Sequence, residues 1–315
     1  MPAEQFRSYR AGMTTSAPPT VQARAAPDRR RSGLVPAAVL VTVAAWAAAV
    51  VTIRGVRGTF NAGSLALGRL AIGSFVLSVA LLARRTWVPP TRREWGLVAV
   101  CGVAWFAVYN VALNAAEQRV GAGTAAMLVN VGPILIALLA GGLLGEGFPR
   151  WLLIGAGLAF SGAILIGAAT VGSTGSDGPG VLLCLLAALA WAVGVMAQKP
   201  ALRRLPALQV TQLACTVGAA VCLPFTGQLV TDIRGASAGA LAGLVYLGVV
   251  PTALAFGTWA YALSRMSAGR LGVTTYLVPP LTILGAWPLL GETPPLLALA
   301  GGVLALLGVA LTRRR

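Results

Sequence analysis

The chain has 315 residues, of which 57% are hydrophobic and only 10% are charged, and its mean hydropathy is +0.82. Because soluble domains carry about 25% charged residues, this composition excludes an ordinary soluble protein and indicates a membrane protein. The net charge of +16 comes from basic residues that lie mostly in short gaps between apolar runs. That placement is the positive-inside pattern of a membrane protein, so we predict no nucleic-acid partner.

Residues 1–33 are polar, with four prolines and the basic run Arg29–Arg31, and we expect a disordered cytoplasmic tail there. A secretory signal peptide is the competing interpretation. The apolar run that follows, at about 34–54, is too long for the apolar core of a signal peptide. We therefore interpret it as the first membrane helix.

From residue 34 onward, apolar runs of about 20 residues recur, each long enough for one bilayer crossing. They lack the alternation of β-barrel strands, so the predicted fold is an all-α integral membrane protein. Ten transmembrane helices are expected near 34–54, 62–83, 96–116, 121–144, 150–169, 180–198, 208–228, 237–261, 269–290 and 295–312. The bilayer is thus the first predicted partner.

The basic residues predict the orientation of these helices. With the N-terminus inside, nineteen basic residues fall in cytoplasmic segments, four fall in outer loops, and Arg69 lies within a helix. This asymmetry favours ten crossings of the plasma (inner) membrane with both termini in the cytoplasm.

An internal repeat relates the two halves of the chain. "VGPILIALLAGGLLGE" (131–146) and "VPPLTILGAWPLLGE" (278–292) both end in LLGE, and Pro133 and Pro279 each lie thirteen residues before the glutamate. The same offset of 146 residues aligns Ala122-Gly123 with Ala268-Gly269. We therefore predict two five-helix repeats, 34–170 and 179–312. Because five is odd, the halves must be inverted in the membrane, an arrangement typical of secondary transporters.

The ordered set of Trp46, Arg69, the Pro133…LLGE unit and its second copy through Pro279 resembles the drug/metabolite transporter superfamily, specifically the EamA-like permeases. The resemblance covers about residues 34–312. It implies a ten-helix fold around a central cavity and transport, with export favoured, of small metabolites such as amino acids or drugs. It does not carry over a substrate, because the family spans many.

Four prolines within predicted helices are candidate gating or helix-break positions: Pro133, Pro251, Pro279 and Pro280. Each lacks an N–H and frees a carbonyl one turn earlier, near Val129, Leu247 and Thr275. Freed carbonyls must face protein or a wet cavity, so we interpret these kinks as cavity-lining. A simple packing kink is the alternative.

Polar and aromatic side chains at similar depths form the candidate substrate site. Arg69 is the one charge inside a predicted helix away from its ends; it either faces the cavity, which we favour, or snorkels to the outer surface. Apolar walls with a few polar groups are typical of small-molecule sites, although packing and interhelical hydrogen bonds are the alternative for each residue. The predicted substrate-binding residues are Trp46, Arg69, Tyr109, Asn110, Asn130, Trp191 and Tyr276.

The remaining patterns argue against other chemistry. The sequence has no His, its four cysteines lie inside predicted helices, and no P-loop pattern occurs, so we predict no cofactor or metal and no ATP drive. Each LLGE glutamate is expected to end one helix, where its carboxylate favours the dipole of the next, and a proton or gating role is the alternative. A membrane scaffold or accessory subunit and a lipid-modifying enzyme remain alternatives to a transporter. The predicted partner is a small-molecule substrate, and a homodimer is left open.

Overall fold

The computed structural model of the protein describes residues 29–56, 58–119, 128–170, 178–282, 296–312 and 314. Within these ranges the secondary structure is helical, with short connecting turns and no strand. The elements are α1 (Arg29–Val56), α2 (Ala62–Arg84), α3 (Arg92–Cys101), π1 (Gly102–Val108), α4 (Tyr109–Glu117), α5 (Gly132–Leu143), α6 (Arg150–Thr170), α7 (Gly178–Ala201), α8 (Ala207–Val221), α9 (Thr226–Gly235), α10 (Ala238–Leu247), π2 (Gly248–Leu254), α11 (Ala255–Leu263), α12 (Ala268–Thr274) and α13 (Leu296–Leu311).

Helix starts follow local capping signals in the sequence. Thr91 and Glu94 form a reciprocal capping box before α3: the Thr91 hydroxyl accepts from the Glu94 N–H, and the Glu94 carboxylate accepts from the Thr91 N–H. Ser237 and Ser267 accept hydrogen bonds from the first turns of α10 and α12 in the same way. These caps fix where the apolar helices begin.

Several described helices are suited to a bilayer. Five are long and apolar enough to cross a membrane: Leu34–Ile53, Ala62–Arg84, Arg92–Glu117, Gly178–Ala201 and Ala238–Leu263. A sixth span is possible by length if α8 and the helical segment Leu223–Gly235, bent by 53° at Cys222, count as one. The chain is therefore a multi-pass membrane protein with an all-helical fold in its described residues.

Two of the long helices contain a π-helical segment in the middle. π1 connects α3 to α4, and π2 connects α10 to α11. The first residues of these segments, Gly102 and Gly248, are 146 residues apart, which is the spacing of the sequence repeat. A π-segment inserts a residue into the helical ladder and is often found at functional sites.

Two expectations about helix continuity are wrong. The predicted helix 208–228 ends at Val221, and the short turn Leu223–Phe225 leads into α9, because Pro224 supplies no N–H there. Pro133 was expected near the middle of a continuous helix. It instead lies in the first turn of α5, where a missing N–H costs nothing.

Candidate functional site

Four tryptophans form one cluster in the interior, which we call the Trp cluster: Trp46 of α1, Trp105 of π1, Trp191 of α7 and Trp259 of α11. All six pairs of rings have centroids between 5.2 and 6.5 Å apart. Phe256 packs against Trp46 and Trp105 at 5.6 and 4.9 Å. Aromatic pairs at these distances attract beyond their buried area, so the four helices share one rigid aromatic centre.

Small residues let the helices approach closely enough to build the Trp cluster. A Cβ placed on Gly194 of α7 would lie 2.4 Å from the Trp105 Cβ, and one on Gly132 of α5 would lie 2.6 Å from the Trp191 ring. Any side chain at either position would push the rings apart. The glycines therefore position Trp105 and Trp191, although sequence alone gave them no such role.

Two indoles of the Trp cluster, and Gln198 about 10 Å farther along α7, have polar atoms that lack partners within the described part of the chain. The indole N–H groups of Trp191 and Trp259 donate to no acceptor there, and both amide atoms of Gln198 are equally unpartnered. These three side chains are at most 5% exposed. Gln198 lies two turns after Trp191 on the same face of α7. Since a buried polar group without a partner is unfavourable, the site offers donors and an acceptor to a ligand or to water.

Trp46 joins the Trp cluster to π2. Its indole N–H donates to the Pro251 carbonyl at 3.3 Å. Pro251 lies inside π2, and the Thr252 hydroxyl donates to the Leu247 carbonyl at 2.8 Å. The carbonyl expected to be freed by Pro251 thus has a side-chain partner, and π2 is held by protein contacts.

Arg69 is buried, with 5% of its surface exposed, and its Nε donates to the Thr252 hydroxyl at 3.1 Å. The side chain therefore runs from α2 to π2. The snorkelling alternative required it to extend to the outer surface, and it does not. Through Thr252 and Pro251 it belongs to the same connected group as Trp46. Its role in binding stays a prediction.

Tyr109 and Asn110 lie at the start of α4, directly after π1. The Tyr109 ring is 6.3 Å from that of Trp191. The Asn110 amide donates to the carbonyls of Trp105 and Phe106 at 3.3 and 2.8 Å, so it satisfies acceptors that π1 leaves open. This contact gives Asn110 a structural task at the edge of the Trp cluster.

Asn130 and Tyr276 meet each other, away from Arg69. The Tyr276 hydroxyl donates to the Asn130 backbone carbonyl at 2.9 Å. Both residues are buried, and Gly132 brings this region against Trp191. The contact joins the segment before α5 to the one after α12, and Asn130 takes part in it through its backbone carbonyl.

Pro279 and Pro280 are buried within helical residues 278–282. Pro280 lies close to Gly302 of α13, where a built Cβ would be 3.3 Å away. The Thr275 carbonyl, which Pro279 was expected to free, accepts from the Val278 N–H. Pro280 therefore lies next to α13, and a short 3-10 turn precedes the two prolines.

The LLGE glutamate of the first half has a different partner from the one expected. Gly145 ends α5 with a positive φ of 68°, as a C-terminal glycine should. Glu146, however, accepts from the N–H groups of Ala268 and Gly269, at 2.8 and 3.2 Å, and so caps α12 instead of favouring the next helix in the chain. Glu292, the second LLGE glutamate, lies outside the described residues.

Sequence reasoning placed Trp259 with the other aromatic residues at this depth, and it missed four residues of this site: Trp105, Phe256, Thr252 and Gln198. Trp105 was detectable as a tryptophan within a predicted helix. The roles of Thr252 and Gln198 depend on the π-helical register and on which face of α7 is buried, and neither has a signal in a single sequence.

Known proteins are similar to this chain over most of its length. A probable terminal-alkyne amino-acid exporter of Streptantibioticus cattleyicolor is 36% identical over 281 residues, covering 88% of this chain and 93% of that protein. The uncharacterized transporter YdfC of Bacillus subtilis is 32% identical over 272 residues, covering 85% and 87%. A solved crystal structure shares the fold with a TM-score of 0.74 and 23% identity, covering 90% of this chain and 96% of that one.

The family comparison matches the chain twice. Residues 34–168 and residues 178–314 each match the EamA-like transporter family. The two matches together cover most of the chain, and relatives that align over nearly their full length are named as transporters or exporters. This chain belongs to the EamA-like transporter family of the drug/metabolite transporter superfamily.

Proposed function

We propose that this protein exports small amino-acid-type metabolites across the plasma (inner) membrane by alternating access between two inverted five-helix halves, 34–170 and 179–312. The observation that carries the proposal is the Trp cluster. It takes Trp46 and Trp105 from the first half and Trp191 and Trp259 from the second. A site at the interface of two repeats is where inverted-repeat transporters bind substrate.

The chemistry of this site suits a zwitterion with an apolar side chain. Two unpartnered indole N–H groups and the Gln198 amide can donate to a carboxylate, and the Gln198 carbonyl oxygen can accept from an ammonium group. Tryptophan faces attract cations and pack against apolar groups. The relative named as an amino-acid exporter supports this substrate class.

Reciprocal glycine contacts support the inverted arrangement. The 146-residue offset pairs Gly155 with Gly301 and Gly162 with Gly308. In space the partners are exchanged: a Cβ on Gly155 would lie 2.6 Å from the Gly308 carbonyl, and one on Gly162 would lie 2.5 Å from the Gly301 carbonyl. Such exchange is expected when two equivalent helices pack antiparallel about a twofold axis.

Asn130 and Tyr276 support the same axis from another pair of segments. They are 146 residues apart and are hydrogen-bonded to each other. Equivalent positions touch only close to a symmetry axis, so this contact marks where the axis would pass. Both termini are assigned to the cytoplasm from the distribution of basic residues.

The test is a transport assay in cells that lack or overproduce the protein, with a panel of L-amino acids that includes apolar and alkyne-bearing side chains. Overproduction should lower cellular accumulation of at least one amino acid. Trp191→Phe keeps an aromatic ring, although a smaller one, and removes the indole N–H, so we expect the apparent KM to rise about tenfold, which corresponds to one lost hydrogen bond to a charged group.

Trp87→Phe is the matched control, because Trp87 is 52% exposed and lies outside the Trp cluster. It should leave the KM unchanged. The proposal fails if no amino acid in the panel changes its accumulation, or if Trp191→Phe and Trp87→Phe have the same KM as the parent.

A further inference from the structure

Two charged side chains bind one turn of the protein and the two helix ends that flank it. The turn consists of residues 264–267 between α11 and α12, and we call it the inner turn. Lys199 of α7 donates to the carbonyls of Leu263 and Met266 at 2.5 and 2.6 Å. Glu146, after α5, accepts from the N–H groups of Ala268 and Gly269. We call these four hydrogen bonds the clasp.

Each charge matches the helix end that it contacts. Lys199 meets the carbonyl end of α11, where the helix dipole is negative, and Glu146 meets the N–H end of α12, where it is positive. The two charges also attract each other. Both side chains are half-buried, so water screens these bonds less than it would at an open surface.

The Glu146 side of the clasp joins parts of the chain that a transporter has to separate, because Glu146 belongs to the first half and α12 to the second. Lys199 holds the inner turn from within the second half and keeps it in place for Glu146. The start of α12 lies directly on α5: a Cβ built on Gly269 would be 3.4 Å from the Ala137 Cα. Moving α12 away from α5 would uncover Ala137, but only after the two Glu146 bonds have broken.

The start of α12 does not depend on the clasp alone, because Ser267 also caps it by accepting from the Arg270 N–H. Glu146 and Lys199 bind helix-end groups that remain, the Ala268 and Gly269 N–H groups and the Leu263 carbonyl. Bonds between charged groups and a turn that is already formed are suited to a contact that is made in one conformation and lost in another.

We propose that Glu146 and Lys199 are a gating latch: they hold the inner turn closed over the cytoplasmic end of the transport path and must release it for that end to open. The proposal rests on the proposed function, because it assumes that the chain opens alternately on its two sides. It assigns to the first LLGE glutamate a role that neither its helix-ending position nor its family membership supplies.

The test measures opening without any substrate. Ala137→Cys is introduced as a reporter in inside-out membrane vesicles, and its reaction with a membrane-impermeant maleimide is timed. The four native cysteines are buried, so the parent protein gives the background rate. Lys199→Met and Glu146→Gln should each raise the labelling rate about tenfold, since losing a charged hydrogen-bond pair shifts a two-state equilibrium by about that factor.

Two further variants separate a latch from a general loosening of the structure. Arg265→Gln removes a charge from the inner turn itself, where Arg265 stacks on Tyr261 and makes no bond of the clasp. Its labelling should stay at the parent rate. Lys199→Arg keeps a cation and donors at the same position, so its rate should be closer to that of the parent than to that of Lys199→Met.

Equal labelling of the parent, Lys199→Met and Glu146→Gln would overturn the latch, and so would equally raised labelling in Arg265→Gln. If Lys199→Met fails to reach the membrane, the Glu146→Gln and Arg265→Gln comparison decides alone. If no amino acid of the panel is transported, the proposed function fails, whereas the labelling rates, which are measured without substrate, still test the latch. The two failures are therefore distinguishable.

Discussion

Replacement of Arg69 by Met should leave the protein folded and close to the parent in stability or above it, yet inactive in transport. Arg69 is buried, and the contact that defines its position is the 3.1 Å bond from its Nε to the Thr252 hydroxyl. Thr252 keeps its bond to the Leu247 carbonyl when Arg69 is removed, so no buried hydroxyl is left without a partner.

The expected stability change follows from two opposing contributions. A hydrogen bond to a charged group contributes about 1.5–3 kcal/mol, and placing an arginine in the centre of a membrane helix costs about 2.5–3.5 kcal/mol. Arg69→Met removes both. The change in unfolding free energy should therefore lie between a loss of about 0.5 and a gain of about 2 kcal/mol. Since the Arg69 charge contributes little or nothing to stability, we expect that the protein keeps it for its function.

Unfolding can be followed with a thiol-reactive dye, because Cys101, Cys184, Cys215 and Cys222 are all buried in the folded protein. Arg69→Met should show an unchanged or higher Tm and no transport in the amino-acid panel. Arg69→Lys keeps the charge without the planar fork, so it should restore transport poorly.

Thr252→Val is the matched control for this reasoning. It leaves Arg69 in place and removes the hydroxyl that serves both Arg69 and the Leu247 carbonyl. Two buried groups then lose a partner, at about 1–3 kcal/mol each, so the Tm should fall. Wild-type transport by a normally expressed Arg69→Met variant, or a Tm well below that of the parent, would refute the argument.

Three further predictions concern packing, topology and energetics. Gly162→Leu should destabilise the protein by about 1–3 kcal/mol or more, because its Cβ would lie 2.5 Å from the Gly301 carbonyl; Gly157→Leu, with nothing within 4 Å, should keep the parent Tm. Reporter fusions in the 84–93 loop should indicate the cytoplasm and fusions in 171–178 the outside, and the reverse pattern would contradict the distribution of basic residues. Arg69 is the one charge inside a predicted helix away from its ends, so no carboxylate is expected at mid-depth for a proton relay, and we expect facilitated or exchange transport. Substrate addition to purified vesicles should therefore produce no proton movement. Substrate-driven alkalinisation on the proton-source side would contradict this expectation.

Much of the fold could be predicted because helix formation in a membrane depends on local composition. The starts of α2, α6 and α8 fall within one residue of the positions expected from apolar length and capping, and Gly145 ends α5 as its sequence context indicates. The bilayer requires each backbone polar group to be satisfied within its own segment, so a long apolar run has few alternatives.

The candidate site was predictable only in part, because its residues come from helices far apart in the chain. Trp46, Tyr109 and Trp191 were expected to share a site, and they lie together. Asn110 was grouped with them for its depth, but its amide stabilises π1. The positions of residue types in the sequence predict how deep in the membrane each residue lies. They do not predict the partner of a polar atom, because that depends on which helix faces it.

By itself, the sequence determined that the chain is a helical membrane protein, where most of its helices begin, and that its two halves repeat at 146 residues. These properties depend on apolar length, capping and spacing, which are local. The tertiary structure decided that Glu146 caps α12 and that Arg69 contacts Thr252. It also decided which glycines meet between α6 and α13. Gly155 lies next to Gly308 and Gly162 next to Gly301, although the repeat aligns Gly155 with Gly301 and Gly162 with Gly308. Contacts of this kind follow from helix packing, because a side chain without water around it must find its partner on whichever helix comes closest.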